Sequence, residues 1–169
     1  EQFALGIQEQ ALAEIRKHMV DFIGVYTWEE LCREWTLRAG AAGTLPFLPD
    51  TVGSIWTNKA QADVAGLNSM ERTLILGECK WTRSASGRKI MTSLVEDKAG
   101  LVIPKTGDWK VFFVGFSRSG WTSSALEYQD HINQQLPAGT KIMLLAFDYN
   151  HDEQGQRRLE LSSFYTPNR

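Results

Sequence analysis

The chain has 169 residues, of which 43% are hydrophobic and 22% charged, and its formal net charge is −2. This composition is typical of one globular domain, and the near-neutral charge excludes a broad basic surface, so any contact with nucleic acid must come from a local patch. No stretch has the roughly 20 apolar residues of a membrane-spanning helix, and the N-terminus lacks a signal-peptide pattern. We therefore expect a cytoplasmic protein with no membrane partner.

The cysteines and the first residue add two further expectations. Cys32 and Cys79 have neither the paired spacing of a zinc site nor an oxidising context, which predicts buried, reduced thiols. The chain starts with Glu1 rather than Met, which suggests a fragment of a longer protein. Within it, we expect residues 1–25 to form a helix that leads into a domain spanning residues 26–169.

The first third of the sequence predicts two helices. Apolar residues recur at helical spacing over residues 8–23, and Gly24 is the expected stop. Thr27 and Glu30 have the spacing of a capping box, which predicts the start of a second helix. Residues 40–50, "GAAGTLPFLPD", are predicted to form a loop.

The apolar period then changes to two, which is typical of strands. Three consecutive antiparallel strands are predicted at residues 52–57, "VGSIWT", 61–67, "QADVAGL", and 72–81, "RTLILGECKW". A short turn centred near Met70 joins the second strand to the third. This predicted hairpin fixes which side chains face each other across the two strands.

The remainder of the chain predicts two more helices and three more strands. In chain order these are a helix from Arg88 to Ile103, a buried strand at 108–117, a helix at 122–136 closed by Pro137 and Gly139, a buried strand at 141–149 and an edge strand at 157–165. The sequence of elements predicts an α/β fold, a mixed sheet with helices on both faces.

Two charged residues interrupt the apolar stretch "LILGECKW" at residues 74–81. Glu78 and Lys80 are two residues apart and therefore share one face of a strand. With the turn near Met70, Asp63 falls opposite Glu78, at a Cβ separation of ~5 Å. Two carboxylates this close repel unless a cation lies between them, and Mg²⁺ suits such a site. The competing interpretation is a surface salt bridge between Glu78 and Lys80, which the tripeptide alone favours.

Four stretches carry a resemblance to a known superfamily. They are "WEELCREW" at 28–35, "QADVAGLN" at 61–68, "LILGECKW" at 74–81 and "FSRSGWT" at 116–122. In their order and spacing they resemble the PD-(D/E)XK nucleases, and most closely the nuclease-like C-terminal domain of archaeal-type AAA ATPases. The resemblance implies a restriction-endonuclease-like fold with an α-β-β-β-α-β core.

The same resemblance implies a metal-dependent active site. It makes Asp63, Glu78 and the backbone carbonyl of Cys79 ligands of Mg²⁺ or Mn²⁺, and Lys80 the catalytic lysine. A lysine beside such a metal can orient the attacking water or stabilise charge that develops on a phosphate. The function implied is hydrolysis of DNA phosphodiester bonds by a metal-dependent deoxyribonuclease. The alternative is a catalytically silent domain that binds DNA or docks an ATPase partner.

The family pattern also includes a carboxylate on the first helix, and the resemblance makes Glu29 or Glu30 a further metal ligand in the catalytic site. Glu29 is preferred because it directly follows the aromatic Trp28, as in the family pattern, and because Glu30 already has a local role in the predicted capping box. The literal "PD" dipeptide ends in Asp50, which lies a full strand before the hairpin and is interpreted as a loop acid. Gln61 stands where the family pattern commonly has a second acidic residue.

The segment after Lys80 is basic and has no acidic residue as far as position 89. Arg83, Arg88 and Lys89 are therefore the predicted contacts with a phosphate backbone. We expect DNA as the partner, together with an ATPase module in the same longer chain or in trans. A homodimer is compatible with the sequence.

Overall fold

The computed structural model describes residues 2–136, 141–151 and 157–162, which fold into one mixed sheet flanked by helices. The strands are β1 (Thr51–Trp56), β2 (Gln61–Asn68), β3 (Thr73–Lys80), β4 (Lys110–Ser117), β5 (Ile142–His151) and β6 (Arg157–Ser162). The helices are α1 (Gln2–Ala41), α2 (Arg88–Thr92), α3 (Ala99–Val102) and α4 (Ser123–Gln135), and a π-helical turn (Ser93–Lys98) joins α2 to α3.

The six strands lie side by side in chain order. The β1–β2, β2–β3 and β5–β6 pairs are antiparallel, whereas β3–β4 and β4–β5 are parallel. Parallel neighbours need a crossover connection, and the α2–α3 segment and α4 supply the two crossovers. The predicted mixed α/β sheet is confirmed, with β6 as an edge strand. The predicted end of this strand at 163–165 and the helix stop at Pro137 and Gly139 lie outside the described residues.

Each face of the sheet carries its own hydrophobic core. Against α1 the buried residues include Trp28, Cys32, Val64, Ile75, Cys79, Val114 and Phe116. Against α2, the π-helical turn and α4 they include Leu74, Leu76, Met91, Leu94, Phe113, Ala125 and Tyr128. Because successive side chains of β3 point to opposite faces of the sheet, this strand contributes to both cores. Ile75 faces α1, whereas Leu74 and Leu76 face the other side. Cys32 and Cys79 are free and buried, as predicted.

Helix α1 differs from the prediction, because it continues through Gly24 without a break. Gly24 permits a close approach of Trp81, since an added Cβ would lie 2.5 Å from the indole nitrogen. Trp81 in turn packs on Trp28, with ring centroids 5.2 Å apart. Glu30 pairs with Arg33 in the middle of α1 and does not mark a helix start. The predicted stop at Gly24 and the predicted helix boundary near residue 25 are therefore wrong.

Helix α1 is also long, at 40 residues. Within the described ranges, however, neither this helix nor any other has an apolar stretch that could span a bilayer. Its C-terminal half packs on β1, β2 and β3, the three strands of the antiparallel part of the sheet. Packing against these strands, rather than intrinsic propensity, explains why the helix tolerates an internal glycine.

Replacing Gly115 with alanine should destabilise the fold. The new Cβ would lie 2.5 Å from the Trp121 ring and 2.9 Å from the Met91 sulfur. Trp121 cannot easily move aside, because its indole N–H donates to the Leu145 carbonyl at 3.0 Å. We expect a loss of about 1–3 kcal/mol in the free energy of unfolding, measured by urea denaturation. The matched control is Gly100→Ala, where nothing lies near the new methyl group and a gain of up to about 1 kcal/mol is expected. Equal effects of the two substitutions would contradict this account.

Candidate active site

The β2–β3 ladder ends beside Asp63 and Glu78. Val64 pairs with Gly77 as the last pair of the antiparallel ladder, and Asp63 and Glu78 are the next residues on the two strands. Both carboxylates are buried, with 8% of Asp63 and 5% of Glu78 exposed to solvent. The predicted hairpin, with its turn centred near Met70, is confirmed.

Asp63 lies where the backbone pairing of β2 with β3 ends. Its Oδ2 accepts a hydrogen bond from the backbone N–H of Cys79 at 2.9 Å, so the side chain continues the connection between the strands. Arg33 on α1 donates to the Asp63 carbonyl oxygen, also at 2.9 Å. Gln61, which stands where the family pattern has an acid, lies 3.5 Å from the other carboxylate oxygen. These contacts hold the Asp63 carboxylate against the end of β3.

A β-bulge contributes to this placement. Gly53 pairs with Ala65 whereas Ile55 pairs with Ala62, so two residues of β2, Asp63 and Val64, oppose a single residue of β1. Bulges of this kind bend a strand and redirect a side chain, and they are common beside active sites. The bulge therefore lets the Asp63 carboxylate turn toward the backbone of β3.

The carbonyl of Cys79 faces the same gap between the strands. The N–H of Cys79 is directed at Asp63, whereas the carbonyl of the next residue, Lys80, accepts from the Arg118 N–H on the β4 side. Because the N–H and C=O of one residue in a strand point the same way, the Cys79 carbonyl points toward Asp63. A hydrogen bond with Cys32, followed by burial, raises the pKa of the Cys79 thiol.

Of the two candidate helix carboxylates, Glu29 faces the site. Its side chain is 21% exposed and lies 3.6 Å from Arg33, whereas the Glu30 side chain is 74% exposed. Burial, followed by the nearby negative charge of Asp63, raises the pKa of Glu29, while Arg33 and Lys80 act in the opposite direction. The structure thus places Glu29 near Asp63 and leaves Glu30 on the outer surface.

Glu78 contacts two lysines, of which only one was predicted. Lys80 Nζ lies 3.3 Å from one carboxylate oxygen of Glu78, and Lys98 Nζ lies 2.6 Å from the other. Lys98 is the last residue of the π-helical turn. It follows the buried residues Met91 and Leu94 by seven and four positions, a helical spacing that would have placed it on the face toward the sheet. That spacing was the available signal for Lys98.

The donor set suits a hard divalent cation. Asp63, Glu78 and the Cys79 carbonyl offer oxygen atoms only, and Mg²⁺ is commonly held by one or two carboxylates together with its own waters. In the part of the chain that the structure describes, however, no three His, Cys, Asp or Glu side chains converge closely enough to hold a metal ion. Asp63, Glu78 and the Cys79 carbonyl are the oxygen donors that the candidate site offers at the open end of the β2–β3 ladder.

The predicted DNA contacts lie beyond the end of β3. Arg83 is exposed in the loop from β3 to α2, and Lys89 is exposed on α2. Arg88 is also exposed, and its guanidinium lies 4.8 Å above the Tyr128 ring, which ties it to α4. Of these three residues, Arg83 and Lys89 are the two whose charged groups are exposed without such a contact to an aromatic ring in the described structure.

The stretch "FSRSGWT" at 116–122 fastens this basic loop to the end of β4. The Ser117 hydroxyl donates to the Gly120 carbonyl at 2.7 Å and lies 2.8 Å from the Ser86 hydroxyl. The Ser119 hydroxyl donates to the Thr82 carbonyl at 2.6 Å. These serines bind the loop itself, and Trp121 is held by its bond to a β5 carbonyl, so the stretch positions the basic residues.

Asp50, the acid of the literal "PD" dipeptide, lies at the opposite end of β2. Its carboxylate accepts from the Ser69 N–H at 2.9 Å, and its own N–H donates to the Leu67 carbonyl at 2.7 Å. Both bonds brace the hairpin turn. The interpretation of Asp50 as a loop acid, away from Asp63 and Glu78, agrees with this position.

Residues 1–90 match the DUF234 family, described as archaeal and bacterial proteins of unknown function. The match covers more than half of the chain. The chain therefore belongs to the DUF234 family. The DUF234 match extends from α1 to α2 and contains Glu29, Asp63, Glu78 and Lys80, whereas Lys98 lies beyond it. No curated protein and no solved structure matches the chain.

Replacing Asp63 with asparagine should lower the pKa of Glu29. The amide oxygen can still accept from the Cys79 N–H, while the negative charge that raises the Glu29 pKa is lost. Burial is the largest cause of the raised pKa and remains in the variant, so only the contribution of the Asp63 charge should be lost. The measurement is an NMR titration of the Glu29 carboxyl carbon. Asp50→Asn, at the other end of the sheet, is the control, and an unchanged Glu29 pKa in Asp63→Asn would refute the contact.

Proposed function

We propose that this DUF234 protein contains a Mg²⁺- or Mn²⁺-dependent deoxyribonuclease domain of the PD-(D/E)XK type, with a restriction-endonuclease-like fold. The observation that carries the proposal is the end of the β2–β3 ladder, where Asp63 and Glu78 follow the last pair, Val64 with Gly77, and Lys80 contacts Glu78 at 3.3 Å. The order of one helix, three antiparallel strands, a helical crossover and a parallel strand supports it. The DUF234 match over residues 1–90, which include Asp63, Glu78 and Lys80, also supports the proposal.

The residues have distinct roles in this proposal. Asp63, Glu78 and the Cys79 carbonyl would hold the ion, which when bound lowers the pKa of water and offsets charge on the phosphate. Lys80, whose amine lies 3.3 Å from Glu78, orients the attacking water or stabilises the phosphate charge. Glu29 accepts a proton or orients a water from the α1 side, in keeping with its raised pKa.

The basic loop and α2 provide the contact with DNA. Arg83, Arg88 and Lys89 are exposed beyond the end of β3, the strand that carries Glu78 and Lys80. Lysine and arginine bind phosphates and release counterions, which makes such binding sensitive to salt. Because the chain has a net charge of −2, a local patch of this kind is the electrostatic feature that suits a polyanion.

A second candidate function is a catalytically silent module that binds DNA or docks an ATPase partner. The ion pair between Lys98 and Glu78 favours it, because a lysine at 2.6 Å already neutralises a carboxylate that the metal would need. The absence of three converging ligand side chains in the described ranges points the same way. In this second candidate function, the ATPase module is part of the same longer protein or acts in trans.

Cleavage assays distinguish the two functions. The chain is incubated with Mn²⁺ or Mg²⁺ and with single-stranded, duplex, nicked and forked DNA. We expect cleavage of at least one DNA form, reduced roughly 10²-fold or more in Lys80→Met and in Asp63→Asn, because the first loses the charge beside the phosphate and the second a metal ligand. Strand breaks are measured by denaturing gel electrophoresis of end-labelled DNA.

The control for these variants is Asp50→Asn, which removes a carboxylate at the hairpin turn and should leave the cleavage rate unchanged. Cleavage that persists in Lys80→Met and Asp63→Asn comes from a contaminant and overturns the nuclease proposal. No cleavage of any form, combined with DNA binding and no calorimetric signal for Mn²⁺, establishes the silent module instead.

Replacing Arg83 and Lys89 together with serine should weaken DNA binding in a salt-dependent way. Each lost phosphate contact lowers the slope of log affinity against log salt by about 1, so the double variant should lose about 2. Fluorescence anisotropy in a chelating buffer, over roughly 50–200 mM salt, measures the slope without cleavage. Lys105→Ser, an exposed lysine in the loop before β4, should leave the slope unchanged. A slope that is equally steep in the double variant would place the DNA elsewhere.

A further inference from the structure

We propose that Lys98 is a resident counter-ion of Glu78 that competes with the divalent cation for this carboxylate and so sets the metal affinity of the site. The inference rests on the proposed metal site and concerns a residue that lies outside the DUF234 match. It predicts that the site binds a divalent ion more weakly than its carboxylates alone would.

The geometry makes Lys98 the closer of the two lysines to Glu78. Its Nζ lies 2.6 Å from Oε1, against 3.3 Å between Lys80 and Oε2. The Glu78 side chain is 6% exposed, so its charge is poorly compensated by solvent. A buried carboxylate that loses its partner carries a large desolvation cost, which means that Lys98 stabilises the metal-free state strongly.

Glu78 has two basic partners before any metal ion binds. Lys80 and Lys98 both contact its carboxylate, so a divalent cation bound there would add two positive charges beside the two already present. Withdrawal of one lysine would relieve part of that repulsion, and the arrival of a phosphodiester would supply a negative charge.

Lys98 is the lysine that can withdraw. Both lysine side chains reach solvent, with 27% of Lys98 and 33% of Lys80 exposed, so the difference between them lies in their partners. The four-carbon stem of Lys98 can carry its amine outward to water while the backbone remains in place, because Ala99, one residue further on, is buried against the sheet. Lys80, by contrast, contacts Glu78 and also lowers the pKa of Glu29, so it acts on a second carboxylate.

The test measures Mn²⁺ affinity rather than cleavage. Isothermal titration calorimetry and electron paramagnetic resonance give the Kd of Mn²⁺ for the wild-type chain, Lys98→Met and Lys98→Arg. We expect Lys98→Met to bind Mn²⁺ at least about tenfold more tightly, because a competing positive charge is gone. Lys98→Arg keeps the charge and should stay close to the wild type. The Tm of Lys98→Met should also rise more on addition of Mn²⁺, since ligand binding stabilises the folded state.

Three further variants make the result specific. Lys105→Met removes the same charge from an exposed position in the loop before β4 and should leave the Kd unchanged. Lys98→Gln replaces Lys98→Met if the latter does not fold, because its amide can still donate to Glu78. Lys80→Met should raise the affinity less than Lys98→Met; an equal gain would reflect net charge alone and overturn the proposal.

The outcomes separate this inference from the nuclease proposal. If the wild type binds Mn²⁺ and Lys98→Met binds it no more tightly, the counter-ion role is refuted and the nuclease proposal stands. If Lys98→Met binds Mn²⁺ and the wild type does not, the counter-ion role is supported and the domain is the silent module. If neither binds, both proposals fail.

Discussion

The hydrogen bond from the Cys79 N–H to Asp63 Oδ2 is the contact on which the candidate site depends. It forms where β2 and β3 cease to pair, and there a side chain takes over from the backbone ladder. A slip of one residue in the register would send Asp63 to the other face of the sheet. The turn prevents that slip, because the side chains of Asn68 and Asp50 accept backbone N–H groups of the turn at 2.9 Å. The literal "PD" acid thus supports the site from the far end of the hairpin.

Much of this arrangement could be predicted because it follows from local rules. The period of two, the short turn and the apolar alternation of β3 are sufficient to predict the register, in which Val64 pairs with Gly77 and the ladder ends beside Asp63 and Glu78. The preference for Glu29 over Glu30 also agrees with the structure, although one of its two reasons was a capping box that does not form. That reason was wrong, since α1 is continuous through Gly24.

The features that escaped prediction depend on contacts between distant parts of the chain. The low helix propensity of Gly24 predicts the end of a helix. In the structure, however, the Trp81 indole, more than fifty residues later, occupies the space that a side chain at position 24 would need. Lys98 reaches Glu78 across twenty residues; its spacing from Met91 and Leu94 indicates that it faces the sheet but does not reveal which strand residue it contacts. In both cases tertiary packing decides the outcome, and a helical periodicity gives no measure of it.

The residues of the candidate site come from two parts of the chain, and this division bears on what the site can do. The half that matches DUF234 carries the three carboxylates and Lys80, the parts that a metal-dependent hydrolase requires. The other half supplies Lys98, which neutralises one of those carboxylates in the metal-free fold. Membership of the family therefore bears on the carboxylates and Lys80, and not on Lys98. Occupation of the candidate site by a divalent cation would depend on how firmly the second half holds Glu78, since a pair that stabilises the empty site also opposes its occupation.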